Sequence, residues 1–184
     1  FYDRITASLT YSQKKDLQRK FNSSQIILET SQRIETIALD ILDHYSTYAD
    51  TGLKAQVVAP SKYEAVMFLR AFELQNEVSV AVIISESSDN VEDDLLPEHK
   101  KVVADWLLTE KHKYGSSLEN RERLLIEDFK ENPSGVRILI VGDNSLTGVD
   151  ASRNTFLYLA KQLRDHNLLQ AIARVNRLFD GDPD

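Results

Sequence analysis

The stretch "AQVVAPSKYEAVMFLRAFELQ" (residues 55–75) decides the fold, because it joins a short apolar run directly to an amphipathic run. Residues 55–60 are typical of a buried strand. Ser61 followed three residues later by Glu64 is a capping box, which predicts that a helix begins at this point and continues to residue 75. Apolar residues recur at helical spacing along its predicted inner face: Val66, Leu69 and Phe72. The stretch therefore predicts the strand–helix unit of an α/β fold.

The same alternation of strands and helices continues along the chain. Three more apolar runs predict strands at 78–85, 136–141 and 155–160. Helices are predicted at 11–23, 30–48, 61–75, 101–113 and 117–131. Strands separated by long helices imply an α/β fold with a parallel sheet and helices on both faces. We predict this domain at residues 51–184, preceded by an N-terminal helical segment at 1–50, with a site at the carboxyl ends of the strands.

The composition is that of a soluble globular domain, with 42% hydrophobic and 28% charged residues among 184. The sequence has no cysteine, which excludes disulfides and zinc–thiolate sites and fits a cytoplasmic protein. It also has no apolar run near the roughly 20 residues of a membrane span, so no membrane partner is expected. The net charge of −7 argues against a broad basic DNA-binding face and favours local contacts. Because the chain opens on Phe1, we expect it to be part of a longer polypeptide.

The segment "HNLLQAIARVNR" (166–177) is predicted to be a helix with two different sides. Gln170, Arg174 and Arg177 fall on one narrow arc at about 100° per residue. Apolar side chains point the other way: Leu168, Leu169, Ile172 and Val175. Two guanidinium groups and an amide suit a planar, anionic partner, whereas the alternative is an ordinary solvated surface. Geometry alone leaves both interpretations open.

Two loops offer weaker candidates. In "SLTGVDASRN" (145–154), Gly148 beside Thr147 lets the backbone approach a ligand, and Asp150 is available to accept hydrogen bonds. An ordinary turn explains that loop equally well when it is taken alone. Ser61 and Lys62, at a predicted helix N-terminus, are a natural seat for a phosphate, although capping alone would explain Ser61.

Several other kinds of site are not predicted. The sequence has no GxxxxGK[ST] phosphate loop. Glu98-His99-Lys100 imitates part of a nuclease motif, but it follows Pro97 in a polar segment and we interpret it as coincidence. The histidines at 44, 99, 112 and 166 lack the spacing of metal ligands, so no metal site is predicted.

The candidate loop and helix together resemble a known family. Residues 146–181, "LTGVDASRNTFLYLAKQLRDHNLLQAIARVNRLFDG", resemble motifs V and VI of superfamily 2 helicases. More narrowly, they resemble the restriction (R) subunit of type I restriction-modification enzymes, in which QAIARxNR is distinctive. "RIETIALDILDHY" (33–45) followed by "KAQVVAPSKYEAV" (54–66) is similar to the helix and motif IV that open the same domain. The chain departs from the family at Val149 and Ser152, where Phe and Pro are usual.

The resemblance implies a RecA-like second helicase lobe that shares an ATP site with a first lobe elsewhere in the same polypeptide. Arg177 would be the arginine finger that reaches the γ-phosphate. Arg174 would contact phosphate or orient its neighbour, and Gln170 would position the finger or the attacking water. Gly148 and Asp150 would border the nucleotide.

The resemblance also implies cofactors and partners. Ser61, Lys62 and Thr147 would contact the DNA backbone without reading its sequence. The full-length enzyme would use ATP and Mg²⁺, with the Mg²⁺ ligands in the first lobe, to translocate double-stranded DNA. Its partners would be the first lobe and nuclease domain of the same chain, and separate methyltransferase and specificity subunits. The fragment alone is expected to be inactive.

Two alternatives stay open at this point. The lobe could come from another superfamily 2 helicase, because motifs V and VI are widely shared. The chain could also be an interaction domain with no motor role, as the net charge of −7 and the acidic segment 86–98 would suit.

Overall fold

The computed structural model describes residues 10–84, 96–114, 117–142 and 154–160. The elements along the chain are α1 (Tyr11–Ser46), a 3₁₀ turn (Ala49–Thr51), β1 (Lys54–Val58), α2 (Lys62–Gln75), β2 (Val80–Ile83), α3 (Pro97–Lys113), α4 (Leu118–Glu131), β3 (Ile138–Val141) and β4 (Asn154–Leu159).

The four strands form one parallel sheet in the order β2-β3-β1-β4. Val57 of β1 lies opposite Ile140 of β3 on one side and Tyr158 of β4 on the other. All five residues of β1 are buried, including the polar Lys54 and Gln56, as expected for a strand covered on both faces. The predicted parallel sheet is confirmed.

Helices pack on both faces of the sheet. On one face, α2, α3 and the part of α1 from Ile34 onward enclose a core that includes Val57 and Ile140. On the other face, Phe129 of α4 packs against Val58. Because successive side chains of a strand point to opposite faces, Val57 and Val58 contribute to different cores. This arrangement confirms the predicted α/β fold, and it is consistent with a RecA-like lobe.

The junction between β1 and α2 follows the predicted capping chemistry. Ser61 is the N-cap of α2, and its side chain accepts a hydrogen bond from the Glu64 N–H at 3.1 Å. At the other end, Asn76 adopts a left-handed conformation with φ 51°, and its N–H donates to the Phe72 carbonyl. Both ends of α2 therefore have local partners, which accounts for the accuracy of its predicted limits.

The N-terminal region differs from the prediction. Helices were expected at 11–23 and 30–48, whereas α1 is one continuous helix. The residues between the two predicted helices include no glycine or proline, so nothing in the sequence breaks the backbone hydrogen bonding. The chain divides into two units, Phe1–Arg33 and Ile34–Asp184, and the sheet belongs to the second.

Lys54 connects the start of β1 to the end of α4. Its side chain is fully buried, and Nζ donates to the carbonyl oxygens of Asp128 at 3.2 Å and Asn132 at 2.6 Å. Nζ also lies 5.2 Å from the centre of the Phe129 ring. Carbonyls at a helix C-terminus carry partial negative charge, so a buried ammonium is stabilised there.

The turn after α4 leaves no room for a side chain at Gly135. The Asp128 carboxylate accepts a hydrogen bond from the Val136 N–H at 2.7 Å, and a Cβ on Gly135 would lie 2.1 Å from the same Oδ2 atom. We expect Gly135→Ala to lower the free energy of unfolding of the chain by about 1–3 kcal/mol, as measured by urea denaturation. Ser134→Ala, at an exposed neighbouring position, is the control. Equal stability of the two variants would contradict this prediction.

Candidate functional site

The carboxyl ends of the strands lie at one edge of the sheet, which we call the carboxyl edge. Backbone hydrogen bonds between neighbouring strands continue one residue beyond the strand ends. After β1, Ala59 N–H donates to Val141 O at 3.0 Å, and after β3, Gly142 N–H donates to Ile83 O at 3.1 Å. Ala160 N–H donates to Val58 O at 3.0 Å. The residues that follow β1, β2, β3 and β4 are therefore held close together, as expected for a site in a parallel α/β fold.

Lys62 packs into the carboxyl edge beside a glycine. A Cβ on Gly142 would lie 3.0 Å from Ile84 Cγ2 and 3.7 Å from Lys62 Cγ. Only 9% of the surface of Lys62 is exposed, so most of its aliphatic stem is enclosed by the protein. The glycine lets the end of β3 and the start of α2 approach each other closely.

Of the predicted site residues, the described ranges include Ser61 and Lys62. Both lie at the carboxyl edge, at the N-terminus of α2, where the aligned peptide dipoles favour an anion. The Ser61 hydroxyl already accepts the capping hydrogen bond from Glu64 N–H. Their contact with DNA stays a prediction.

The other predicted site residues lie outside the described residues: Thr147, Gly148, Asp150, Gln170, Arg174 and Arg177. Their assigned roles therefore stay predictions from the sequence. Of the strands on either side of residues 143–153, β3 ends at Val141 and β4 begins at Asn154.

A stacked pair at the carboxyl edge was not predicted. The ring of His99, in the first turn of α3, lies 3.7 Å from the ring of Tyr63 in the first turn of α2, with 12° between their planes. Burial lowers the pKa of His99 from its ordinary value, although the carboxylates of Glu98 and Glu64 act in the opposite direction. His99 lacks the sequence spacing of a metal ligand, and spacing along the chain carries no information about a stack between two helices.

A second unpredicted cluster surrounds Arg121 of α4 at the β2 side of the sheet. Its Nε donates to Glu110 of α3, and its Nη1 donates to the Val82 carbonyl at 2.9 Å. The guanidinium also lies 5.0 Å from the Trp106 ring and 5.5 Å from the Tyr114 ring. The side chains of Arg121 and Glu110 are 7% and 8% exposed, so this is a buried ion pair.

Three other kinds of feature are absent from the described residues: a metal-binding group, a nuclease motif on a strand and a membrane-spanning helix. Within the described ranges, no group of three or more His, Asp or Glu side chains has an arrangement that would hold a metal ion. The Glu98–Lys100 segment lies in the first turn of α3 and not on a strand. None of the helices in the described part of the chain is long and apolar enough to cross a membrane.

The chain has a parallel sheet with helices on both faces and candidate residues at the carboxyl edge. This arrangement places the protein in the class of α/β lobes and is consistent with the RecA-like type. The chain belongs to the family of type I restriction enzyme subunit R domain 3-like proteins, whose model matches residues 51–183. The resemblance to the restriction subunit is thereby confirmed, and the alternative of another superfamily 2 helicase is disfavoured.

Curated relatives carry matching names. The chain is 31% identical over 177 residues to a putative type I restriction enzyme MjaVIIP endonuclease subunit of Methanocaldococcus jannaschii, covering 90% of this chain and 16% of that protein. It is 27% identical over 184 residues to the type I restriction enzyme HindI endonuclease subunit of Haemophilus influenzae, covering 97% of this chain and 16% of that protein. The chain therefore spans about one sixth of the length of these relatives.

Proposed function

We propose that this chain is the second motor lobe of an ATP-dependent DNA translocase, within the restriction subunit of a type I restriction endonuclease. The lobe, residues 51–184, would supply motifs IV, V and VI to an ATP site shared with a first lobe of the same polypeptide. The proposed activities of the whole protein are DNA-stimulated ATP hydrolysis, translocation of double-stranded DNA in the cytoplasm, and cleavage by its nuclease domain.

The observation that carries the proposal is the position of the motifs relative to the strands. Motif IV residues Ser61 and Lys62 follow β1 at the carboxyl edge. In the sequence, the LTGVD run follows β3, and the QAIARVNR run follows β4. Because strands in a parallel sheet point the same way, segments that follow them begin at the same edge. One surface would then contain the groups for both nucleotide and DNA.

In the proposed mechanism, two guanidinium groups act on the triphosphate. Arg177 would stabilise charge that develops on the γ-phosphate oxygens, and Arg174 would contact phosphate or orient Arg177. Gln170 would position the finger or the attacking water. Gly148 and Asp150 would border the nucleotide and connect its state to closure of the lobes.

Two parts of the chemistry are assigned to other regions and proteins. ATP would be the substrate, and Mg²⁺ would be held by the first lobe, as the family resemblance implies. Methyltransferase and specificity subunits would direct the motor to its DNA.

The experiment that tests the motor role uses the full-length subunit assembled with the methyltransferase and specificity subunits. Translocation is followed by ATP-dependent displacement of a third strand bound to linear duplex DNA. We expect Gln170→Ala to slow displacement by about tenfold, because a positioning group for the reacting water is lost. Gln75→Ala, at an exposed position at the end of α2, should displace the strand at the wild-type rate.

The competing function is an interaction domain without a motor role, favoured by the net charge of −7. It predicts that Gln170→Ala and Gln75→Ala hydrolyse ATP and displace the third strand equally well. That result, together with loss of subunit assembly in chains lacking the lobe, would replace the motor proposal.

A separate prediction concerns the DNA contact of Lys62. Lys62→Gln removes the charge and keeps most of the enclosed stem, so the carboxyl edge should stay packed. We expect the slope of log K against log salt concentration for duplex DNA binding by the full-length subunit to become shallower by about 0.9, the value for one lost phosphate contact. An unchanged slope would remove Lys62 from the DNA interface.

A further inference from the structure

His99 and Tyr63 form a buried contact between the first turns of two helices. Tyr63 follows Lys62 directly, and the two rings are parallel within 12° at a centroid distance of 3.7 Å. Tyr63 is 3% exposed and His99 is 8% exposed, so water is largely excluded from the stack. The first turn of α2 therefore packs on a ring supplied by α3.

The surroundings of His99 suit an uncharged imidazole. Its Nε2 atom is buried and has no hydrogen-bond partner among the residues that the structure describes. A neutral ring can leave Nε2 without a proton, whereas a protonated ring would bury an N–H donor and a charge without an acceptor. The acidic groups that act on the ring are Glu98 of α3 and Glu64 of α2, and the effect of burial is larger than theirs.

The stack is connected to the proposed DNA contact through the start of α2. Ser61 caps this helix, and the stem of Lys62 packs beside Gly142 at the end of β3. A displacement of Tyr63 would move both residues relative to the carboxyl edge.

We propose that His99 is a positioning residue, which acts as a neutral ring stacked on Tyr63 to hold Ser61 and Lys62 in place for contact with the DNA backbone. This inference rests on the proposed function, and it adds a role for α3 that the motifs themselves do not assign. It makes the DNA affinity of the lobe sensitive to pH. The contribution of the stack to DNA affinity is complete above the pKa of an unfolded histidine, about 6.5. It is lost as the pH falls below that value, because protonation of the buried ring becomes favourable only when the stack opens.

The test measures duplex DNA binding by the full-length subunit, by fluorescence anisotropy, at several values between about pH 5.5 and 7.5. His99→Ala removes the ring, and we expect about fivefold weaker binding at pH 7.5. His99→Phe keeps a flat ring that cannot be protonated, and it should bind as the wild type does at pH 7.5. At the acidic end it should bind about threefold more tightly than the wild type.

The control is His112→Ala, since His112 is an exposed histidine on the same helix, and it should follow the wild-type pH profile. A His99→Phe profile that coincides with the wild-type profile would overturn the proposal, as would His99→Ala binding within twofold of wild type. Loss of folding in His99→Ala would leave the comparison of His99→Phe with wild type to decide.

The binding data for Lys62→Gln distinguish failure of the proposed function from failure of the inference about His99. If Lys62→Gln leaves both affinity and salt slope unchanged, the DNA role of the α2 start is wrong and the inference about His99 is overturned with it. If Lys62→Gln weakens binding and the His99 variants do not, only the inference about His99 is wrong.

Discussion

Replacing Arg177 by alanine in the full-length subunit is expected to lower DNA-stimulated ATP hydrolysis by about 10³-fold, because an arginine finger contributes mainly in the transition state. The expected change is in kcat, with little change in the DNA concentration for half-maximal stimulation. Arg177→Lys should recover only part of the loss, since an ammonium lacks the planar pair of donors of a guanidinium. The measurement is the steady-state rate of phosphate release with and without DNA.

The matched control is Arg123→Ala. Arg123 is an exposed arginine of α4 whose Nη1 atom lies 3.6 Å from Oε2 of Glu127. The two side chains are 67% and 62% exposed. Its removal should leave ATP hydrolysis unchanged. Activity of Arg177→Ala within twofold of wild type would end the assignment of the arginine finger.

The second large effect is expected at the buried ion pair between α3 and α4. Glu110→Ala would leave the Arg121 guanidinium buried without its carboxylate, which typically costs about 3–5 kcal/mol. The remaining contacts of Arg121 are the Val82 carbonyl and the rings of Trp106 and Tyr114, and none of them neutralises the charge. Urea denaturation of the chain at neutral pH measures the loss.

Two comparisons separate the buried charge from the packing around it. Glu127→Ala breaks the exposed pair with Arg123 and should cost only about 0–1 kcal/mol. The double variant Glu110→Leu with Arg121→Met removes both charges, and it should recover most of the stability lost in Glu110→Ala. If Glu110→Ala costs no more than Glu127→Ala, the pair between α3 and α4 has no special role in stability.

The part of the fold that the sequence predicted is the part governed by local chemistry. Strand β1 could be recognised because a central strand of a parallel sheet is buried on both faces, and α2 because Ser61 caps it. The prediction of two helices before β1 was wrong, because no glycine or proline between residues 23 and 30 interrupts the helix.

The contacts that the sequence did not predict join residues far apart in the chain. His99 stacks on Tyr63, and Arg121 binds Glu110 and the Val82 carbonyl. The identity of such partners depends on how helices are arranged over the sheet, and no periodicity or spacing encodes that arrangement. Among the candidate site residues, Ser61 and Lys62 lie at the predicted carboxyl edge, whereas the roles of residues 147–177 depend on the family motifs.

The hydrogen bond from Arg121 to Val82 affects how the sheet can associate with other chains. The carbonyls of Ser79 and Ile83 accept hydrogen bonds from residues 137–142, so the carbonyl of Val82 points away from β3. A foreign strand that approached β2 would find this acceptor already bound to a buried cation. Pairing of another strand with β2 at Val82 would first require breaking that hydrogen bond from Arg121, which makes this carbonyl a poor template for strand addition.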